Sequence, residues 1–425
     1  MPVRCYNRAK TTNGNALRGN IMKLSSFILC TTCLALTGCG SDNTVTHASK
    51  PKSAAMPVSL SETKETIRFD INTDYQSLLD QVVAAGLTGV SVYVATPGWS
   101  ATYTSGQANQ DTQAPLNPQH LFRIASNTKS FVATLTHLMA AQGQIDLDSS
   151  INTYLPDDIT ARLPNTSSIT VRHLLRHTSG LKDYLSVPQF WHKTKAEPDQ
   201  DWQVTEMLSY VYDEPAQFEV DSRFDYSNTN YLLLGIILDD VLGYDLAIAI
   251  RQQILEPLGM TETYYYQREP LGAELVHGYE LEEGTLKSYR HIKLGYRAAD
   301  GGMVSTPKDL SRFFSAFGKT QAPFTAAIKT QMLNNLNTMD TTREYGAGIV
   351  RKTEHSTFAS LSGKVAYMHG GYNNGYISRS YYYPQEDVSI SVFYNRVFDR
   401  HTEQDKHKMV ENFREALRAK VFAEL

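Results

Sequence analysis

The chain has 425 residues, of which 41% are hydrophobic and 20% are charged, a balance that indicates a globular protein of one large or two ordinary domains. Its formal net charge of −4 offers no basic surface for nucleic acid. All four cysteines lie in the first 39 residues, so the rest of the chain has no internal disulfide, no thiol nucleophile and no cysteine-bound zinc.

The N-terminal segment has the pattern of a secretory leader. Residues 22–39 (MKLSSFILCTTCLALTGC) join a short basic start to an apolar run that is too short and too polar to span a membrane. Residues 1–21 are either an extended start of this leader or the result of a start codon assigned upstream of Met22. The last four residues, Leu36-Thr37-Gly38-Cys39, resemble a bacterial lipobox, which implies that Cys39 is lipidated. The alternative is an ordinary secretory signal that contains a cysteine.

A polar tether follows the leader. Residues 40–66 are rich in Ser, Thr, Pro and Lys and hold too few large apolar side chains to form a core. Gly40, rather than Asp, follows Cys39, and in Gram-negative lipoproteins this implies sorting to the outer membrane. We therefore expect a domain that is lipid-anchored in the cell envelope and faces the periplasm.

Folded sequence is predicted to begin near Ile67. A helix pattern covers Tyr75–Ala84, and the β-branched run Val90–Thr96 predicts a strand. Pro97-Gly98 can turn the chain so that Ser100–Gly106 returns as the partner strand.

The stretch Leu121–Gly143 carries the first candidate for chemistry. Phe131, Leu135, Leu138 and Met139 form one buried helical stripe, and Gly143 is a natural stop. Ser126 stands at the helix start and Lys129 one turn later on the same face, where free N–H groups and the helix dipole can hold an oxyanion. Ser-x-x-Lys occurs five times, starting at Ser49, Ser61, Ser126, Ser179 and Ser305. Only the copy at Ser126 opens a long helix with a buried stripe.

The middle of the chain is predicted to be mainly helical and the end to return to strands. Helices are expected at Thr170–His177, Trp202–Tyr212, Asn230–Gly243, Asp245–Leu258, Thr306–Phe317 and His401–Val421. Strands are expected at Tyr345–Lys352, Val365–His369, Gly375–Tyr383 and Val388–Asn395, the last two forming a hairpin around Pro384–Asp387. The fold class is thus α/β (α+β): an antiparallel sheet flanked by helices and built from both chain ends (about 67–125 and 296–425), plus an all-helical lobe (about 126–295).

Two later motifs can supply partners for a serine nucleophile. Tyr226 precedes a buried helix and can act as a base if nearby positive charge, such as that of Lys129, favours the phenolate. Asn228 offers an amide for a substrate, although Ser227 and Asn228 are also good helix caps. The third motif is Met368-His369-Gly370-Gly371-Tyr372, in which the glycines allow a ligand close to the backbone; the alternative is a glycine turn beside a surface histidine.

The ordered set Ser-x-x-Lys, Tyr-x-Asn and His-Gly-Gly resembles the serine β-lactamase and penicillin-binding superfamily, in the branch of class C β-lactamases, D-Ala-D-Ala carboxypeptidases and related esterases. The likeness covers about residues 70–400 and includes the stretches LLRHTSGL (174–181) and GGMVSTPKDLSRF (301–313). The resemblance implies an acyl-enzyme on Ser126. It implies that Lys129 and Tyr226 share the proton transfers, although Lys129 as sole base stays open.

The same resemblance implies supporting roles for the other motif residues. Asn228 would steady the substrate and Lys129, while His369 stands where the family has lysine or histidine. The backbone N–H groups of Ser126 and Tyr372 would form the oxyanion hole. No cofactor or metal is implied, the partner is a small-molecule or peptide substrate, and the oligomeric state is not indicated.

Departures from the family pattern widen the choice of substrate. Carboxypeptidases of this branch carry hydroxyl residues where Gly370 and Tyr372 stand, so an esterase, an amidase or a D-amino-acid peptidase is an alternative to a strict D-Ala-D-Ala or β-lactam activity. Arg379 could bind a carboxylate, but we expect it to be a strand-surface charge. His173 and His177 have the i, i+4 spacing of metal ligands, yet the Glu of H-E-x-x-H is missing and a structural role is favoured. A non-catalytic envelope-binding protein is the competing class.

Overall fold

The computed structural model describes residues 67–293 and 298–425. The predicted leader with Cys39 and the predicted tether at 40–66 lie outside the described residues, so their interpretation stays a prediction. In the part of the chain that is described, no helix combines the length and the apolar character needed to cross a membrane.

An antiparallel sheet forms the centre of the described chain, and it has nine strands in the order β3-β2-β1-β14-β13-β12-β11-β10-β9. Its strands are β1 (Gly89–Ala95), β2 (Ser100–Asn109), β3 (Ala114–Pro115), β9 (Asn337–Thr338), β10 (Arg343–Tyr345), β11 (Val350–Thr353), β12 (Val365–Asn373), β13 (Tyr376–Tyr383) and β14 (Val388–Tyr394). The first strand β1 pairs directly with the last strand β14, so both ends of the domain sequence build one sheet, as predicted.

Smaller strands form two further sheets that the sequence patterns did not reveal. Three of these strands, β5, β6 and β7, lie within 126–295, so the lobe predicted there is not all-helical. The three-stranded sheet contains β4 (Phe122–Arg123), β5 (Tyr264–Tyr265) and β8 (Met303–Ser305), and the hairpin contains β6 (Tyr279–Glu282) and β7 (Thr285–Ser288).

Helices cover both faces of the large sheet. They are α1 (Tyr75–Ala84), α2 (Thr128–Ala141), α3 (Asp157–Thr160), α4 (Val171–Arg176), α5 (Pro188–Ala196), α6 (Val204–Leu208), α7 (Asn228–Leu242), α8 (Leu246–Ile250), α9 (Pro307–Lys319), α10 (Ala326–Leu333) and α11 (Gln404–Ala423). Three-residue 3₁₀ turns occur at Ala125–Asn127, Ile151–Thr153 and Tyr184–Ser186, and α8 continues into a π-helical turn at Arg251–Leu255.

The strand β14 shows why the sheet is covered on both sides, because all seven of its residues are buried. Its apolar residues Val388, Ile390 and Val392 belong to the core shared with α1 and α11. The alternate positions Ser389 and Ser391 are small, and the Ser389 hydroxyl is hydrogen-bonded to Ser311 of α9. Small side chains on this face let α9 lie close to the sheet, whereas the opposite face receives the larger side chains.

Several predicted elements differ from the structure in their bounds, among them the strand predicted at Val365–His369, which extends to Asn373. The helix predicted at Trp202–Tyr212 is limited to Val204–Leu208. The strand predicted at Tyr345–Lys352 is two strands, β10 and β11, because Gly348 turns the chain with a φ of +70°. The last helix starts at Gln404 rather than His401.

Candidate active site

Ser126 lies in a tight turn between β4 and α2. Its predecessor Ala125 has a φ of +46°, a left-handed conformation that side-chain-bearing residues rarely adopt. Asn127 holds the turn against the sheet, because its Nδ2 donates to the Ile124 carbonyl (3.1 Å) and to Ser378 Oγ (2.7 Å). The turn therefore presents the half-buried Ser126 in a fixed position at the start of a buried helix.

Lys129 is fully buried, and its three hydrogen-bond partners are all oxygen atoms. Its Nζ lies 3.2 Å from Ser126 Oγ, 2.7 Å from Asn228 Oδ1 and 2.6 Å from the Asp300 carbonyl oxygen. Each N–H of an ammonium thus has an acceptor, which is the condition for burying such a group. Lys129 Nζ is thus the donor, and Ser126 Oγ the acceptor, of the hydrogen bond between them.

Asp183 determines which way the Asn228 amide points. The Asn228 backbone N–H and its Nδ2 donate to the two carboxylate oxygens of Asp183 at 3.2 and 3.0 Å, which leaves Oδ1 to face Lys129. Burial raises the pKa of Asp183, against the effect of the hydrogen bonds that it accepts. The Ser227 side chain makes no capping hydrogen bond, so the interpretation of this motif as a plain helix cap is contradicted.

Tyr226 lies beside this group, and its ring contacts both Lys129 and His177. Lys129 Nζ is 5.1 Å from the centroid of the Tyr226 ring, and the His177 ring packs against Tyr226 with centroids 4.2 Å apart and the ring planes tilted by 34°. His177 Nδ1 accepts the Ser227 N–H (3.2 Å), so in the neutral ring Nε2 donates to the Tyr345 hydroxyl at 3.3 Å. Burial, and then the charge of Lys129, keep the pKa of His177 well below its usual value.

The end of β12 passes directly over the serine turn. Pairing of β11 with β12 stops at Met368, and the residues beyond it lie against the turn. A Cβ placed on Gly371 would be 2.0 Å from the Ile124 carbonyl oxygen, so only glycine fits at this point. The backbone of Tyr372 follows at once, and its N–H in an oxyanion hole with that of Ser126 stays a prediction.

His369 stands on the same strand as a neutral group. Burial lowers its pKa to about 3, and the nearby Lys129 charge acts in the same direction. Its Nδ1 accepts the Gly370 N–H at 2.9 Å. His369 is therefore uncharged at neutral pH and buried at the cleft wall, which excludes the alternative of a surface histidine.

A cleft of about 260 Å³ is lined by five of the predicted site residues, whereas Lys129, Asn228 and Gly371 are not among its lining residues. Its lining residues are Ser126, Tyr226, Met339, Arg343, Tyr345, Val350, Met368, His369, Gly370, Tyr372 and Arg379. Arg379, expected to be a strand-surface charge, instead lines this cleft with its guanidinium against Gly370.

Sequence reasoning missed the two carboxylate-bearing residues that support Lys129. Asp300 contributes its carbonyl, and its buried carboxylate accepts a hydrogen bond from Tyr184 at 3.0 Å. Asp183 lies in LKDY, directly after the motif-like stretch 174–181, and that proximity was the available signal.

His173 and His177 do not act together, because His173 accepts the Thr170 N–H in a capping box while His177 contacts Tyr226. Within the described ranges, no cluster of three His, Cys, Asp or Glu side chains could hold a metal ion.

This architecture and this site define a serine hydrolase, and the chain belongs to the Beta-lactamase family, whose model matches residues 76–411. It is 29% identical to penicillin-binding protein 4* of Bacillus subtilis over 331 residues, 73% of this chain and 68% of that protein. It is 31% identical to a β-lactamase of Providencia stuartii over 227 residues, which cover 53% of this chain and only 54% of that protein. Among solved structures it resembles that of D-amino acid amidase from Ochrobactrum anthropi SV3 complexed with L-phenylalanine amide. The TM-score is 0.70 at 27% sequence identity, and the match covers 84% of this chain and 100% of the amidase chain.

Proposed function

We propose that this hydrolase forms an acyl-enzyme on Ser126 and acts on amides or esters of D-amino-acyl compounds, including peptidoglycan-like D-Ala peptides and β-lactams. The observation that carries the proposal is the hydrogen-bonded set of Ser126, Lys129 and Asn228, of which Ser126 lines the cleft together with residues of β12. The likeness to a D-amino acid amidase over that enzyme's whole length supports the amide class.

The contacts of Lys129 suggest how the nucleophile is activated. This route uses the deprotonated amine in place of the ammonium described above: its two N–H groups serve the closer acceptors, Asn228 Oδ1 and the Asp300 carbonyl, and its lone pair takes the place of the hydrogen bond to the more distant Ser126 Oγ. The serine proton then moves to Nζ as Oγ bonds to the substrate carbonyl carbon. The tetrahedral adduct collapses when the leaving nitrogen or oxygen receives a proton, and water later releases the acyl group by the reverse sequence.

Tyr226 is our candidate for the proton transfer to the leaving group. Its ring centroid lies 5.1 Å from Lys129 Nζ, and it lines the same cleft as Ser126. We assign it to proton delivery to the leaving group, with Lys129 as the group that contacts the serine hydroxyl.

A substrate panel tests the function. The wild-type protein and Ser126→Ala are assayed on a D-Ala-D-Ala peptide, a cephalosporin, a short-chain ester and a D-amino acid amide. We expect turnover of at least one panel member by the wild type and its loss in the variant. Tight binding of peptidoglycan fragments without any turnover would instead indicate a non-catalytic envelope-binding protein.

For localisation, we propose that Cys39 carries a lipid that attaches the enzyme to the envelope, with residues 40–66 as the tether. The support is the lipobox-like sequence that ends at Cys39. Cys39→Ala should move the protein from the membrane fraction to the soluble fraction, and an unchanged membrane fraction would reject the anchor.

A further inference from the structure

His177 holds the backbone on both sides of Tyr226. The N–H of Asp225, the residue before Tyr226, donates to the His177 carbonyl at 3.0 Å. The N–H of Ser227, the residue after it, donates to His177 Nδ1 at 3.2 Å. The imidazole also packs against the phenol ring, with centroids 4.2 Å apart. One fully buried residue therefore contacts both the backbone and the ring of Tyr226.

Asn230 brings a second donor to the same imidazole nitrogen. Its Nδ2 lies 3.1 Å from His177 Nδ1, and its Oδ1 accepts a hydrogen bond from Ser179 Oγ at 2.6 Å, which orients the amide. Together with the Ser227 N–H, two donors face Nδ1. A ring nitrogen that accepts hydrogen bonds carries no proton, so the proton of the neutral imidazole is on Nε2.

The hydrogen bonds on the other edge of the ring require the same tautomer. The Tyr231 hydroxyl donates to the Leu175 carbonyl at 3.1 Å, so its oxygen can accept the hydroxyl proton of Tyr345, with which it is hydrogen-bonded. The Tyr345 oxygen then accepts from His177 Nε2, 3.3 Å away. Burial, and then the charge of Lys129, lower the pKa of His177, so the ring stays neutral at pH 7.

Helix capping alone does not explain a histidine at this position. His177 ends α4 in the left-handed conformation, with a φ of +56°. Glycine or asparagine is the usual residue in such a cap, because other side chains are strained there. The contacts with Tyr226, Ser227 and Tyr345 are made by the imidazole, which glycine would not provide.

We propose that His177 is a positioning residue for Tyr226, and that its Nε2–H tautomer fixes the segment that presents the phenol to the cleft lined by Ser126. His177 is not among the described residues that line that cleft, so its effect passes through Tyr226. The inference rests on the proposed function, in which Tyr226 delivers a proton to the leaving group.

Two amide variants separate the two edges of the ring. His177→Asn carries its amide near the position of Nδ1 and can still accept from the Ser227 N–H, whereas His177→Gln carries it near the position of Nε2. On the panel substrate that the wild type hydrolyses fastest, His177→Gln should lower kcat by about 10²-fold with little change in KM, the scale of a lost acid–base group. His177→Asn should recover at least about tenfold of that loss.

His173→Asn is the matched control. It makes the same change one turn earlier on α4, where the histidine Nδ1 accepts the Thr170 N–H at 3.1 Å in a capping box. This variant should keep the wild-type kcat.

A double-mutant cycle distinguishes positioning from a general structural effect. In a Tyr226→Phe background, His177→Gln should change kcat by less than about threefold, because the group that it positions is already missing. A full loss in that background would overturn the proposal, and so would a wild-type kcat in folded His177→Gln.

The tautomer is tested in the wild type, without any variant. In ¹⁵N NMR spectra of histidine-labelled protein at pH 7, the assigned His177 resonances should show a proton on Nε2 and none on Nδ1. A proton on Nδ1 would overturn the proposal even if His177→Gln failed to fold. Absence of wild-type turnover on the whole panel would instead overturn the proposed function, while the tautomer can still be read.

Discussion

Gly371 offers a sharp test of how closely β12 must approach the serine turn. In Gly371→Ala the new Cβ would lie 2.0 Å from the Ile124 carbonyl oxygen and 2.5 Å from Ser378 Oγ. Even tight Cβ contacts begin at 3.0 Å, so β12 and the turn must separate by about 1 Å. Because Ile124 is two residues before Ser126, this movement misplaces the hydroxyl relative to the strand. A displacement of that size costs on the order of 10²-fold in rate.

The assay is single-turnover acylation by an activated ester, followed alongside thermal unfolding. Overpacking of this kind also destabilises by about 1–3 kcal/mol, so rates are compared well below the unfolding temperature of the variant. Gly98→Ala is the matched control, because no atom lies within 4 Å of its added Cβ, and it should acylate at the wild-type rate. Acylation of Gly371→Ala within threefold of the wild type would refute the reasoning.

Three further predictions concern the groups around the nucleophile. Asp183→Asn places an amide opposite Asn228 Nδ2, so the Asn228 amide loses its fixed orientation. Acylation should slow by about 10- to 100-fold, with little change in Tm. An unaltered acylation rate would show that the contact is dispensable. Tyr226→Phe should slow acylation or deacylation by at least ~10²-fold, the usual scale for acid–base residues, and near-normal pre-steady-state rates would leave the whole proton transfer to Lys129. His369 has a pKa of about 3 in the folded protein against an ordinary value of 6.5, so the unfolded chain binds a proton that the folded one excludes, and stability falls as the pH drops through this window. Between pH 7 and pH 5 the wild type should lose about 2 kcal/mol more than His369→Asn in denaturant titrations, and parallel curves would contradict a neutral buried imidazole.

Local sequence patterns predicted the regular elements well. The bounds of α1 at Tyr75–Ala84 match the prediction, and the hairpin of β13 and β14 turns at Pro384–Asp387 as expected. These elements have clear periodicity and strong turn residues, so neighbouring residues alone determine them.

The errors arose where distant contacts determine the local structure. The break between β10 and β11 occurs at Gly348, whose backbone lies against α2; a Cβ there would be 2.8 Å from the Lys129 carbonyl oxygen. No short-range pattern in Tyr345–Lys352 reveals that contact. Trp202 shows a similar effect, because it packs as a buried ring beside Phe190 rather than as part of a helix.

In the candidate site, too, the residues within motifs were predicted and the residues held by distant contacts were missed. Motif spacing identified Ser126, Lys129, Tyr226 and Asn228, and the structure brings these four residues together. The role of Asp183 depends on a hydrogen bond to a residue 45 positions away, which spacing does not encode. Arg379 was assigned to the surface because strand alternation does not show that Gly370 leaves room for its guanidinium.

Mapping the covalent adduct tests the central claim most directly. The protein is incubated with a fluorescent penicillin or an activated ester, digested, and analysed by peptide mass spectrometry. We predict an acyl group on the hydroxyl of Ser126 in the wild type and none in Ser126→Ala. An adduct on another residue, or undiminished turnover in Ser126→Ala, would contradict the account.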